Sequence, residues 1–577
     1  MPFDGLVMAA VRRELESELV GSRIQRVHQP ERLTLLLQLR APGRSQYLLL
    51  SAHPQHARVH LARERFENPP SPPLFCSVCR KHLEGGRVEA VTQPGLERIL
   101  QIVVAVRDEL GEVRQKILVA EVMGRHSNII LVDRATGNIL DAIKRYGHAV
   151  SRFREVLPGL PYVAPPREKA DPLDITVERC TELLGRMPID LPLWKVLQQC
   201  FEGLSPLMAR EIVYRAGIET DLALEFCGER ELVQIWKVLR GFFEKADRGQ
   251  FEPSLIPGKD AAPADFAAFR VGHRESVLEP AGMNAVVDRV FRCRVQDERA
   301  AALRNGLLSA IGHARKRLER RLEACHRAAA DGEKAEEFKL RGEILTANLY
   351  RLQRNADRVV LQNFYTGKPV EIYLDPRLTP AHNAQAYFKR YNKLRKGAER
   401  ARAELAKLQA EAAYLEALET AIALAETPAD LDEVREELAA AGYLRDKPGA
   451  KRTGKLEPRP LELKASDGST VYIGRNNRQN DMVTFRLGQP DDIWLHARDL
   501  PGAHVIIRTG GRSVSVETLE EAASWAAYFS KARHGKKVPV DYTYRKHVQK
   551  PKGSRPGFVT YTNEKTVLVE PRPIPTP

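Results

Sequence analysis

Between Tyr387 and Leu415, apolar or small residues fall at Tyr387, Tyr391, Leu394, Ala398, Ala401, Leu405, Leu408, Ala412 and Leu415, in steps that alternate four and three without a break. A 3.5-residue repeat keeps one stripe of a helix turned toward a partner helix, so this segment cannot be an ordinary core helix. The partner seam runs upstream through Leu307, Ile311, Ala314, Leu318, Leu322 and Cys325, and its helix is expected to continue past Asp331-Gly332 to about Leu352. Between the two helices, 359–364 and 370–374 flank Thr366-Gly367-Lys368 and read as a hairpin. Residues 266–445 are therefore expected to form a long antiparallel coiled coil with a small β-containing module. At ~1.5 Å per residue an arm of about 45 residues spans roughly 65 Å, too long for a core element. It is either a dimer interface or a probe that reaches a distant contact.

The remaining chain divides around this arm. Residues 1–166 mix a helix at 7–19 with apolar runs at 34–39, 47–51, 100–106, 117–121 and 128–132, an α+β pattern that ends in the Pro-rich stretch 157–166. Residues 171–255 read as short-looped helices, with a helix–turn–helix element over 203–217 closed by Gly217. A polar linker at 446–460 precedes a compact α+β block over 461–577, with strands expected at 470–473, 483–487, 493–496, 504–507, 558–561 and 566–569 around a helix at 519–530. The fold class is multidomain α+β.

Lys and Arg number 90 against 75 Asp and Glu, a formal charge of +15, which points to polyanionic partners. The surplus is concentrated in the last block: nine Lys or Arg lie between Lys531 and Arg555 against one acid, Asp541, with Tyr542 and Tyr544 among them. Basic loops interleaved with aromatics suit RNA, where cations meet phosphates and rings stack on unpaired bases; a solvated basic face is the plainer explanation. Arg545, Lys546, Lys550, Lys552 and Arg555 are the candidate contacts there, with His496. The preceding polar loop 474–481 adds Arg475, Asn476, Asn477 and Arg478, whose amides and guanidinium groups can read bases or sugars, or simply hold a turn.

Two smaller constellations lie in the first block. Glu97-Arg98 precede an apolar strand and could pair with base edges or form a salt-bridged strand edge. The segment 121–128, Glu-Val-Met-Gly-Arg-His-Ser-Asn, crowds polar groups around a glycine that permits a tight bend. Cys76-Ser-Val-Cys79 with His82 offers two or three zinc ligands without a second pair at finger spacing, and the seven scattered cysteines fit reduced thiols. Pro2 could in principle act as a Schiff-base amine. No phosphate-binding loop, dinucleotide glycine motif or spaced metal-ligand pair occurs, so no cofactor and no enzymatic activity are expected. No run approaches ~18 apolar residues and no secretory leader is visible, which suggests a cytoplasmic protein with no membrane partner.

Phe3-Asp4-Gly5, the 73–83 segment, 121–128, Leu374-Asp375-Pro376, 383–388 with Tyr391-Asn392-Lys393, 474–481, 492–496, 501–504 and 548–561 together resemble the NFACT family, in order and across the whole chain. The resemblance implies an N-terminal domain of the formamidopyrimidine-glycosylase type without its chemistry, a helix-hairpin-helix domain, a coiled-coil arm with a middle module, and a C-terminal RNA-binding domain. It implies binding to a large ribosomal subunit obstructed by a nascent chain, and recruitment of tRNA, alanine tRNA in the bacterial family, for alanine tailing without messenger RNA. The family's Asp-Arg pair for tRNA falls on Glu97-Arg98, with Glu in place of Asp. Asp4, Glu121, Met123, Gly124, Arg125 and His126 match other tRNA-facing segments of that domain. Two other classes stay open from the sequence: a fibronectin-binding surface adhesin, and a DNA-repair lyase using Pro2.

Overall fold

The computed structural model describes residues 3–41, 43–63, 66, 68–107, 111–148, 153–258, 263–444 and 459–574, so Pro2 and most of the 446–460 linker lie outside the described residues. The chain divides into two compact units, 1–297 and 298–577.

In the first unit nine antiparallel strands lie side by side in the order Arg58–Ala62, Arg44–Ser51, Thr34–Ala41, Arg23–Glu31, Arg87–Thr92, Ile99–Arg107, Val113–Glu121, Asn128–Asp133 and Ile139–Ala142. The leucine-rich runs are continuous in sequence because both faces of the sheet are covered. Leu35, Leu37, Leu48 and Leu50 meet Leu6, Val7, Val11 and Leu15 of the helix Gly5–Leu19, while Leu36 and Leu49 form a small cluster on the other face. Cys76 and Cys79 sit in the helix Leu74–Leu83 and are buried in the same core. Burial pushes the Cys79 thiol well up. Among the described residues no group of three or more His, Cys, Asp or Glu could hold a metal ion.

Four helices follow, Val177–Gly185, Leu193–Cys200, Pro206–Arg215 and Glu229–Asp247. Ser205 accepts from the Met208 amide and Pro206 opens the third helix, a standard start for which the pyrrolidine needs no N–H partner. Leu184, Leu197, Met208, Ile212 and Phe243 belong to the same hydrophobic core as Leu6 and Val7, so the Pro-rich stretch at 157–166 marks no break in packing.

The second unit contains most of the helix Met283–Glu333, whose Leu307, Ile311, Ala314 and Leu318 pack with Leu408, Leu415 and Leu418 of the helix Pro380–Leu424. The two run antiparallel: Arg304 donates to the Ala425 carbonyl (2.6 Å), Arg315 pairs with Glu419 (3.0 Å) and Arg321 with Glu404 (2.6 Å). Gly332 is required by proximity, since a Cβ there would lie 2.2 Å from that of Ala398. The expected continuous helix to Leu352 is interrupted at Lys334; a second helix spans Ala335–Ala347 and a 3₁₀ turn follows at Leu349–Arg351. The hairpin pairs Arg358–Gln362 with Pro369–Tyr373. After the arm, Thr427 and Asp430 form a capping box that starts the helix Pro428–Ala440, whose Leu431, Val434 and Leu438 bury against the arm's base. Among the described residues no helix is long and apolar enough to cross a membrane.

The last block is a six-stranded antiparallel sheet in the order Leu461–Lys464, Thr470–Gly474, His504–Ile507, Ile493–Ala497, Val538–Tyr544 and Lys565–Val569, with the helix Val516–Tyr528 against it. Two expectations are corrected here. The polar loop at 474–481 is a helix, Asn477–Met482, capped by Asn476, whose side chain accepts from the Gln479 amide (2.9 Å). The expected strand at 483–487 is a π-helical turn, Val483–Leu487. Five residues are too few for periodicity to separate strand from helix, and the cap decides it.

Candidate nucleic-acid interface

Glu97 and Arg98 end a turn that enters the strand Ile99–Arg107. The turn is held from two sides. Gln93 Nε2 donates to the carbonyls of Gly5 (3.0 Å) and Glu97 (2.8 Å), and Glu202 accepts from the Leu96 amide (3.1 Å). A Cβ on Gly5 would sit 1.9 Å from the Leu96 carbonyl oxygen, so only glycine lets the first helix approach this closely. Both side chains are partly exposed, and neither makes a side-chain hydrogen bond or ion pair to another described residue. A fixed backbone thus presents a carboxylate and a guanidinium whose hydrogen-bonding capacity is unspent.

The 121–128 bend lies alongside: the Val122 amide donates to the Arg98 carbonyl (2.8 Å), and Ile99 pairs with Glu121 across the sheet. Met123 and Gly124 are partly exposed and Arg125 and His126 exposed, with the Met123 amide tied to Ser127 Oγ (2.7 Å). Lys144 Nζ reaches the Arg125 carbonyl (3.4 Å), and Lys169 feels both Glu97 and Arg98. Neither lysine was expected, because each lies far from the pair in sequence.

Glu121 and Asp4 play a different part in this geometry. Glu121 is buried, held by a two-pronged pair with Arg154 (2.5 and 2.7 Å) and by the Tyr162 hydroxyl (3.0 Å). Asp4 is buried too: one oxygen caps the first helix at the Val7 amide (2.9 Å), the other accepts from the Ser205 amide (3.1 Å). Burial raises the Asp4 carboxyl despite these bonds. Both carboxylates are buried and bonded within the fold.

The polar segment of the last block is largely spent within its own unit. Arg475 grips Asp430 with two nitrogens (2.7 and 3.0 Å). Asn476 and Gln479 both donate to Glu433 Oε2 (2.7 and 2.8 Å), Asn477 donates to Glu437 (2.9 Å), and Arg478 pairs with Glu436 (2.9 Å). Tyr414 donates to the same Glu437 oxygen (2.9 Å), and burial pushes that carboxyl up. Arg555 stacks over Tyr414 at 4.4 Å. The carboxylates at 430, 433, 436 and 437 share one face of the helix Pro428–Ala440, a spacing visible in sequence but without a partner to suggest its use.

Other candidates fare unequally. His496 is stacked on Trp494 (5.7 Å) and edged by His504 (5.3 Å); burial holds its imidazole down to about 4, so it offers no cation near neutral pH. Arg545 lies 5.2 Å over Phe485, Lys546 pairs with Asp491 (3.0 Å), and Lys550 with Asp481. Lys552 is exposed without an ionic partner among the described residues.

Residues 4–456 match the NFACT N-terminal and middle domains, and residues 460–561 match the NFACT protein RNA-binding domain. The chain belongs to the NFACT family. The NFACT protein "Rqc2 homolog RqcH" of Bacillus subtilis is 36% identical over 99% of this chain and 98% of its own length. The human ribosome quality control complex subunit NEMF is 24% identical, over 61% of this chain and 33% of its own length. A solved N-terminal fragment of the fibronectin/fibrinogen-binding protein from Streptococcus suis is 31% identical over 50% of this chain and 99% of that fragment, with a TM-score of 0.42. The NFACT RNA-binding domain falls on the block that holds the basic loops.

Proposed function

We propose that this chain is a ribosome-associated quality-control factor, cytoplasmic and non-enzymatic, that binds an obstructed large ribosomal subunit and recruits tRNA to it. The observation that carries the reading is the 36% identity with RqcH across 99% of this chain and 98% of the relative. In this reading the first unit holds tRNA through Glu97, Arg98 and the 123–126 bend, with Asp4 and Glu121 as supports. The four helices at 177–247 serve as the helix-hairpin-helix domain, the paired helices as a coiled-coil arm, and the last block engages ribosomal RNA. Alanyl-tRNA is the tRNA class selected, and the ribosome itself makes the peptide bonds of the alanine tail on the nascent chain. Glu97 reaches one methylene further than the family's Asp, which suits the same base-amino contact from a slightly withdrawn backbone.

The test is to purify tagged protein from cells on gradients and sequence the bound RNA. Co-sedimentation with large subunits and recovery of alanine tRNA are expected, and replacing Glu97 and Arg98 by Ala should deplete tRNA while leaving the subunit. Absence from subunit fractions with no tRNA recovered overturns the proposal, and fibronectin binding in that same sample would favour the adhesin class.

A further inference from the structure

Part of the last block's charge, and its polar 475–478 segment, is occupied by the base of the arm and the helix that follows it. Arg475, Asn476, Asn477 and Arg478 face the carboxylates of the helix Pro428–Ala440, Lys531 pairs with Glu416 (2.6 Å) and Arg533 with Glu426 (3.6 Å). A ligand for the domain must therefore use another surface, and the π-helical turn helps to build one. Val483 and Thr484 of that turn are buried, Phe485 is half-buried and Arg486 is exposed. Arg545 Nε donates to the Thr484 carbonyl (2.9 Å), which fixes its guanidinium 5.2 Å over the Phe485 ring. Next along the chain, Tyr544 is 50% exposed, Lys546 Nζ lies 5.0 Å over its ring, and His547 sits 6.5 Å away at a tilt. Asp491, bonded to Lys546, also lies on this surface.

A half-exposed tyrosine and a partly buried phenylalanine, each with a cation over its ring, set aromatic surface beside positive charge. That is the chemistry of a single-stranded nucleic-acid platform: bases stack on rings without sequence preference while cations follow the phosphates. We propose that Phe485, Tyr544 and His547 stack unpaired RNA bases, with Arg486, Arg545 and Lys546 on the flanking phosphates. The proposal rests on the RNA-binding reading above and names the surface that serves it.

The test uses the full chain and a fluorescein-labelled 12-nucleotide single-stranded RNA of mixed sequence, with an RNA duplex of equal length alongside, read by anisotropy across a salt series. Phe485→Leu, which keeps apolar packing, and Tyr544→Leu should each weaken single-strand binding about ten-fold, with little change in salt slope or duplex affinity. Arg486→Gln should lower the salt slope by about 0.7, one phosphate contact on a single strand. Arg478→Gln, on the docked face, should leave single-strand affinity unchanged. Unfolding midpoints verify that each variant is folded. Ring variants that bind like the parent, or loss confined to Arg478→Gln, overturn the proposal while leaving RNA binding intact. A parent chain that binds neither RNA overturns the RNA-binding reading and this proposal together.

Discussion

Replacing Glu433 by Ala should loosen the junction between the helix Pro428–Ala440 and the Asn477–Met482 helix, and its size follows from the bonds lost. Glu433 is 8% exposed and its Oε2 accepts from Asn476 and Gln479, themselves 5% and 0% exposed. Truncation strips a partner from two buried amide groups, each worth ~1–3 kcal/mol when left unsatisfied. Taking about 2 kcal/mol as the lower bound for the pair, the local opening equilibrium shifts by roughly thirty-fold, since ~1.4 kcal/mol is a factor of ten. Amide hydrogen exchange resolved by mass spectrometry should therefore accelerate about thirty-fold or more over 475–483, with little change in the strand Val538–Tyr544. Glu436→Gln is the internal control. Its pair with Arg478 is partly exposed, 23% and 26%, and such pairs contribute only ~0–1 kcal/mol, so exchange should rise less than about five-fold. Equal acceleration in the two variants would refute the reasoning, because it would assign the junction to the helix's overall negative field rather than to satisfied buried amides.

Glu121→Ala should lower stability by ~3–5 kcal/mol, because it breaks a buried two-pronged ion pair with the Arg154 side chain, itself 8% exposed; a thermal midpoint within a degree or two of the parent would contradict this. Acid should selectively weaken the last block. His496 has its folded pKa lowered to about 4 from 6.5, so the unfolded chain takes up the proton first and stability is lost as pH falls from about 6.5 toward 4, by up to ~3 kcal/mol. His504, also held low by burial, acts in the same direction. Denaturant midpoints followed by Trp fluorescence between pH 7 and 4.5 would measure the loss, and an unchanged midpoint would refute it. Replacing Lys550 and Lys552 by Ala should weaken subunit association and lower its dependence on salt; since Lys550 is paired with Asp481, Lys552→Ala alone should account for most of the effect in sedimentation at graded salt.

Several elements were legible because their signal is local. The 3.5-residue repeat located the paired helices, and the apolar runs at 34–39, 47–51 and 100–106 fall in strands. The Glu97-Arg98 pair and the 123–126 bend were separable as candidates, and the structure places them side by side through one backbone hydrogen bond. What sequence could not separate is a polar residue that supports a site from one that faces a ligand. Asp4 and Glu121 look like Glu97 in composition, and only burial tells them apart.

By itself, the sequence determined the helical arm, the strand-bearing blocks around it, the concentration of charge near the C-terminus and the family, because each is written in residue types at short range or along the whole chain. Tertiary structure alone decided how that charge is spent. Arg475, Asn476, Asn477 and Arg478 could equally have met a phosphate or a carboxylate, since both accept the same hydrogen bonds. The carboxylates of Asp430, Glu433, Glu436 and Glu437 lie about 40 residues earlier, and only the folded chain brings them within 3 Å.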